Sequence, residues 1–246
     1  MDKVLWTAMG GADQMMQAQA VASHNLANAS TTGFRADLHA FSSYLVQGPG
    51  FPTRVGVVHQ ATGFDPRQGS LEQTGRALDL AIQGEGWLAV QAADGTEAYT
   101  RAGSLRVSVD GVLETANGLA VLGDGGPISL PPSSRLEIGA DGTLSIVPEG
   151  LGPETAAAVA RLKLVKPDAA QLHKGADGLM RLPGGATAPA DVTVTVTSGA
   201  LESSNVSIAE SMIEMIQISR EFELQVRLMR TAGENDEAAQ QLLRAA

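Results

Sequence analysis

The stretch Asn25–Asp37, "NLANASTTGFRAD", closes one kind of sequence and opens another. Before it, small and apolar residues recur at helical spacing. After it, the helical period is lost. The run joins Asn, Ser and Thr, whose side chains bond nearby backbone and compete with helix, to a glycine, which reaches conformations other residues avoid. A lone Phe follows. This predicts a helix that stops after Leu26 and an elbow made by Asn25, Asn28, Gly33 and Phe34, with Phe34 anchoring the turn on the helical layer.

Upstream, Met1, Leu5, Ala8, Ala12, Met15, Gln19, Ala22 and Leu26 follow alternating steps of four and three, a heptad seam with one polar position. Gly10 and Gly11 interrupt it. They read either as close backbone approach to a neighbour or as a break between two shorter helices. The C-terminal segment repeats the device. Ser207-Ile-Ala-Glu210 is a capping box, and Ile208, Met212, Met215, Ser219, Phe222, Val226 and Met229 follow the same steps. Ile213 and Ile216 widen the apolar stripe beyond one seam. A long helix is expected, weak near Gly233. Seven of the eight Met lie in these terminal segments, as flexible filler or as a surface that fits several neighbours. The predicted assembly surfaces are Leu5, Met9, Ala12, Met15 and Leu26 on the first helix. On the C-terminal side they are Asn205, Ile208, Met212, Met215, Phe222, Val226 and Met229.

Between the ends the period becomes two. Val192, Val194 and Val196 alternate with Thr, and Leu105, Val107 and Val109 alternate with polar residues. Asp-Gly pairs at 94–95, 110–111, 124–125, 141–142 and 177–178 favour tight turns. Residues 36–75, rich in Gly, Pro, Thr and Gln, read as an extended connection with a strand at Val55–His59. The expected class is α+β. Terminal helices over 1–35 and 199–246 pair as a coiled-coil-like hairpin, and a β domain over 76–198 is inserted between them.

The net charge of −10 argues against nucleic acid and against an anionic membrane surface. With no Cys there are no disulfides, thiolate nucleophiles or Cys-based zinc sites. No apolar run is long enough to span a membrane, and the first residues lack the charged and continuous apolar regions of a cleavable signal. Phosphate-binding loops and nucleophile elbows are missing. The four His are scattered, and the Asp-Gly pairs lack calcium-loop spacing. No catalytic residue, metal or cofactor is expected. A helical hairpin whose apolar stripe exceeds one seam has to meet other copies, and such head-to-tail contacts generate helical assemblies. A secreted β-domain binding module and an enzyme with an unrecognised site are the competing readings. Either would show an exposed aromatic patch or a polar pocket.

Three segments, in order, resemble the bacterial flagellar axial proteins of rod and hook. They are the N-terminal "MDKVLWTAMGGADQ" with "NLANASTTGFRAD", the central "GSLEQTGRALDLAIQGEGWLAVQ" followed by "AYTRAGSLRV", and the C-terminal "GALESSNVSIAESMIEMIQISREFE". "ARLKLVK", "DGLMRL" and "GENDEAAQQLL" look most like the proximal-rod type, with the distal rod as the alternative. The β domain is short for a hook protein. The resemblance implies a torque-transmitting subunit of a hollow rod across the periplasm, with helices inside and the β domain outside. It implies partners in other copies, neighbouring rod proteins and the flagellar type III export apparatus, and no membrane insertion. Phe41 and Leu45 match an export-gate element of early substrates. Because isolated helices are marginal in water, the helices are expected to order only on assembly.

Overall fold

Helix α1, Asp2–Ala27, stops where the Asn/Ser/Thr run begins. The computed structural model, which describes residues 2–45, 55–148 and 156–245, closes with a second helix, α2, Ile208–Ala245. Strands fill the middle, so the fold is α+β. Two compact units divide the chain. The helical unit comprises Met1–Ala29, Ala36–Phe64 and Val206–Ala246, and the β unit comprises Ser30–Arg35 and Asp65–Asn205.

In the helical unit α1 presents a row of small residues. Ala8, Ala12, Ala18 and Ala22 are buried, and Ala18 and Ala22 cluster with Ile218 of α2 beside Met15 and Met215. On α2, Ser211, Ile218 and Ala232 are buried, and Met215, Phe222, Gln225 and Met229 are half-buried. These positions keep the heptad steps, but the covered seam is offset from the one read in the sequence. Met215, Phe222 and Met229 belong to it, whereas Ile208, Met212 and Val226 are exposed. The reason is steric. A row of alanines lets the helices approach closely, and the small Ser211 and Ala232 fit that approach better than their larger neighbours. Met1 of the predicted seam lies outside the described residues.

Both glycines lie within an unbroken α1. A Cβ on Gly11 would sit 3.1 Å from Gln225 Cδ, whereas one on Gly10 would meet nothing within 4 Å. Close approach therefore explains Gly11, and no break occurs at either. Helix α2 passes through Gly233 without interruption. At its start the Ser207 hydroxyl accepts from the Glu210 N–H at 3.4 Å, the forward half of the capping box.

The expected connection over 36–75 instead holds the longest strands of the fold. Strand β1, Asp37–Leu45, pairs antiparallel with β2, Val55–Phe64, with a register shift between Leu38 and His39. Gly56 makes room for the Tyr44 ring, whose Cζ would lie 2.5 Å from a Cβ there.

In the β unit a five-stranded sheet runs in the order Leu164–Val165, Trp87–Gln91, Glu97–Thr100, Met180–Arg181, His173–Lys174. A three-stranded sheet joins Ser133–Ile138, Thr143–Pro148 and Ala157–Arg161. Leu88, Val90, Leu105, Leu113, Val121, Leu144 and Leu162 fill the shared core. The Asp-Gly turns form as the sequence predicts at Gly95, Gly111, Gly142 and Gly178, all left-handed; at 124–126 the left-handed residue is Gly126. Thr195–Ser198 pairs with Leu80–Gln83, and Ala200–Glu202 pairs with Leu71–Gln73. Residues 199–205 thus belong to the β unit.

The two glycines of α1 give a paired prediction. Gly10→Ala gains helix propensity without a clash and should stabilise the helical unit by about 0.5–1 kcal/mol. Gly11→Leu overpacks against Gln225 and should cost about 1–3 kcal/mol. Thermal unfolding followed by helical circular dichroism measures both, and equal effects at the two positions would contradict the packing.

Candidate functional site

Three passages of chain meet inside the β unit: Gly33–Arg35, Asp65–Gly69 and Glu202–Asn205. Backbone bonds link them first. Gly33 N donates to Glu202 O at 2.8 Å, Ser203 N to Ser70 O at 2.8 Å and Asn205 N to Phe34 O at 3.3 Å. The Asn205 amide donates to Asp65 O at 3.1 Å and to Arg67 O at 2.9 Å. Asn205, expected on an assembly surface, is thus a tie among three passages, the role its two amide donors suit.

At the centre lies a buried ionic trio. Glu202 Oε1 accepts from Arg35 Nη2 at 2.5 Å and from Gly69 N at 3.0 Å, and Glu202 Oε2 accepts from Arg101 Nη1 at 2.8 Å. Arg101 also donates to Gly84 O. The side chains of Arg35 and Glu202 are 0% and 1% exposed. Both guanidiniums lie within cation–π range of the Trp87 ring, at 5.9 Å for Arg35 and 5.6 Å for Arg101. Burial pushes the Arg35 guanidinium below its ordinary value and the Glu202 charge opposes this; an arginine in a protein keeps its proton. The trio carries one net positive charge and no water-accessible face, so its arrangement is structural.

The surroundings are shaped to match. Gly33 has φ +69°, and a Cβ there would lie 2.3 Å from the Arg101 carbonyl carbon. A Cβ on Gly69 would lie 2.0 Å from Ser203 O. Phe34 is buried in this unit, with Lys174 Nζ 3.8 Å from its ring centroid. Lys174 also donates to Arg35 O at 2.8 Å. Phe34, expected against the helical layer, makes its ring contact with Lys174 within the β unit. Beside it Asp65 holds the Arg67 guanidinium by a fork, with Arg67 Nη2 2.6 Å from Oδ2. The Arg67 side-chain hydrogen bonds hold the Asp65 carboxyl below its usual range against the opposing effect of burial.

The other elbow residues work within the helical unit. Asn25 is buried, and its amide pairs both ways with the Asp37 backbone: Nδ2 donates to Asp37 O at 3.0 Å, and Asp37 N donates to Oδ1 at 2.8 Å. His24 Nδ1 lies 2.6 Å from Asp37 Oδ2. Asn28 Nδ2 donates to His24 O at 3.0 Å, closing the last turn of α1. The predicted assembly residues divide by exposure. Leu5, Met9, Ile208, Met212 and Val226 are exposed, Ala12 is buried, and Met15, Leu26, Met215, Phe222 and Met229 are half-buried. Trp6 is 66% exposed and Ile213 57% exposed, and Val4, Met16, Ile216, Leu224 and Leu228 join them. Phe41 and Leu45 are exposed and share one face of β1.

Sequence reasoning missed Arg35, Arg101, Glu202 and Trp87. The available signal was a lone charge between small or apolar neighbours, as in "GFRA", "TRAG" and "ALES". An open cleft of about 560 Å³ in the β unit is lined by Glu97, Asp124, Lys163 and Ala188. There Lys163 Nζ is bonded to both Glu97 oxygens at 2.8 Å, so its charge is already engaged. Among the described residues no three His, Asp or Glu side chains gather to hold a metal. No helix among them is long and apolar enough to cross a membrane.

The segments that build the trio match known families. Residues 5–35 match the family described as flagella basal body rod protein. Residues 81–146 match the flagellar hook protein FlgE/F/G D1 domain, and residues 197–242 match the flagellar basal body rod FlgEFG protein C-terminal region. Arg35, Arg101 and Glu202 come one from each. With helices at both ends and β structure between, these matches define a flagellar axial protein of the rod and hook class. Over 249 residues the chain is 45% identical to the flagellar basal-body rod protein FlgF of Salmonella typhimurium and 44% identical to that of Escherichia coli, with 99% of each chain covered. It is 29% identical to the flagellar basal-body rod protein FlgG of Buchnera aphidicola, over 94% of this chain and 95% of that one. The chain belongs to the FlgF-type flagellar basal-body rod proteins, which are structural subunits and not enzymes.

Two measurements test the joint. Gly33→Ala forces an unfavourable φ and a backbone clash, and should destabilise the β unit by about 2 kcal/mol or more, read by urea unfolding. Asp65 has a depressed folded-state pKa, so its contribution is present above its unfolded value and lost as pH falls. The stability gap between wild type and Asp65→Asn should therefore be constant near neutrality and shrink as the pH drops below about 4. A gap that widens in acid would contradict the assigned sign.

Proposed function

We propose that this protein is a subunit of the proximal flagellar rod, built into a hollow torque-transmitting tube through its terminal helices. The observation that carries the reading is the surplus apolar surface of α1 and α2 in a chain of this family. After the two helices cover their shared seam, Leu5, Trp6 and Met9 on one, and Ile208, Met212, Ile213, Ile216 and Val226 on the other, remain exposed. Apolar patches of this extent on a rimmed polar surface mark protein interfaces. The occupants in this reading are other copies and neighbouring rod proteins. The helix pair is a coiled-coil-like hairpin lying in the inner layer of the rod, and the β domain lies outside it. Asn25, Asn28, Gly33 and Phe34 form the elbow between these parts.

The proximal assignment rests on 45% identity over 99% of a relative named FlgF; the distal rod is the alternative. The rod location within the periplasm and export through the flagellar type III apparatus belong to the same proposal. Phe41 and Leu45 are the residues assigned to recognition at the export gate. Both precede the folded state in that role, since the chain is threaded before β1 pairs.

A double substitution, Met212→Asp with Ile216→Asp, tests the reading. Both side chains are exposed in the monomer, so the purified variant should melt within a few degrees of wild type, as surface changes usually shift stability by less than about 0.5 kcal/mol. In cells lacking the chromosomal copy it should fail to restore swimming or to enter purified basal bodies. Normal incorporation would remove the helix faces from the assembly surface.

A further inference from the structure

The β unit has four covalent links to the rest of the chain, after residues 29, 35, 64 and 205. Its ends of the last three are Arg35, Asp65 and Asn205, which gather at the trio. Glu202 is what joins them. One oxygen takes both Arg35, from the first passage, and Gly69, from the second, and the other takes Arg101 from the strand-bearing core. Glu202 itself lies on the third passage, three residues before Asn205.

We propose that Glu202 is a positioning residue that fixes the chain's exits from the β unit as one rigid bundle, and that Ser30–Arg35 is an obligatory piece of that unit and not a linker. At this carboxylate direction matters more than strength. A buried ion pair is weak evidence for stability, because desolvation offsets its attraction and apolar residues of similar volume often do as well. Apolar packing beside Trp87 would fill the same space. It would not specify where Arg35 and Gly69 sit, because dispersion contacts are non-directional. Three hydrogen bonds of 2.5–3.0 Å on one carboxylate do specify it. Two further features fit the same role. Gly33 and Gly69 are the positions where a Cβ would collide with Arg101 and Ser203, so the passages lie against the core and each other at backbone distance. Lys174 then covers the first passage, over the Phe34 ring and on Arg35 O.

The proposal rests on the rod assignment only for its motility readout. Hydrogen–deuterium exchange of the full-length chain tests it directly, using peptides spanning 30–36 and 66–71 against core peptides spanning 87–91. Two variants are compared with wild type: Glu202→Gln, and the apolar replacement of the whole trio, Arg35→Met with Arg101→Met and Glu202→Leu. The triple variant leaves no unpaired buried charge, so it keeps the test available if Glu202→Gln fails to fold. In wild type the passages should exchange as slowly as the core. In the triple variant the core should stay within threefold of wild type while both passages exchange at least tenfold faster. Passages that stay as protected as the core would overturn the proposal. So would loss of protection by the same factor in core and passages, which would make Glu202 an ordinary stabilising residue. Swimming of cells carrying the triple variant is scored separately. Freed passages with normal swimming would count against the torque-bearing role and not against the clamp.

Discussion

A single buried carboxylate, Glu202, sits between two guanidiniums and a backbone N–H, and the architecture of the β unit around residues 30–35 and 65–70 is arranged to supply it. Removing water from such charges costs several kcal/mol per ion. Both Glu202 oxygens are engaged, whereas among the described residues Arg35 Nε and Nη1 and Arg101 Nε find no hydrogen-bond partner. The carboxylate and the Trp87 ring face therefore have to offset the burial of the two guanidiniums. That requirement reaches back into the sequence. Glycine is needed at 33 and 69 so that the passages can close on the trio, an aromatic face is needed at 87, and Asn205 is needed to hold the backbone of the exits. One residue of the trio comes from each of the three family segments, which lie far apart in the chain.

How much of this was legible in the sequence depends on the range over which each feature is decided. Helix α2 was legible because its signals are local: Ser207 caps it and the apolar steps continue for several turns. The Asp-Gly turns were legible for the same reason, and the one exception, at 124–126, has two consecutive glycines competing for the left-handed position. The hairpin β1–β2 was only half legible. Val55, Val57 and Val58 mark one strand, but its partner alternates Leu38, Ala40 and Ser42 against His39, Phe41 and Ser43, a pattern too weak to read until the two strands pair. The trio was barely legible, its only local signal being a lone charge among small or apolar neighbours. Arg35 and Glu202 are 167 positions apart, and each looks like an ordinary surface charge until the fold brings them together.

The offset of the helix seam follows from the same distinction. Hydrophobicity alone ranks Met212 and Val226 above Ser211 and Gln225, so a reading of α2 in isolation puts the former in the seam. The choice is made by the partner. Ala18 and Ala22 of α1 pack against Ile218, Gly11 makes room for the Gln225 amide group, and Met212 and Val226 are left exposed. A helix with a stripe wider than one seam thus separates into two faces, one selected for fit to α1 and one left with most of its apolar area.

That second face sets the energetics of what the helical unit does next. Fully burying a large apolar side chain is worth roughly 1.5–3 kcal/mol, so side chains near half exposure each hold about 1 kcal/mol in reserve. The exposed Val, Leu, Ile, Met and Trp of α1 and α2 together amount to a reserve on the order of 10 kcal/mol. Bringing two molecules together costs an estimated 4–15 kcal/mol before any surplus appears as affinity. One neighbour, covering only part of each helix, leaves little net gain. Several neighbours, each covering a different part, draw on the whole reserve while only one subunit is immobilised. An arrangement of this kind favours addition to an existing assembly over pairing in solution.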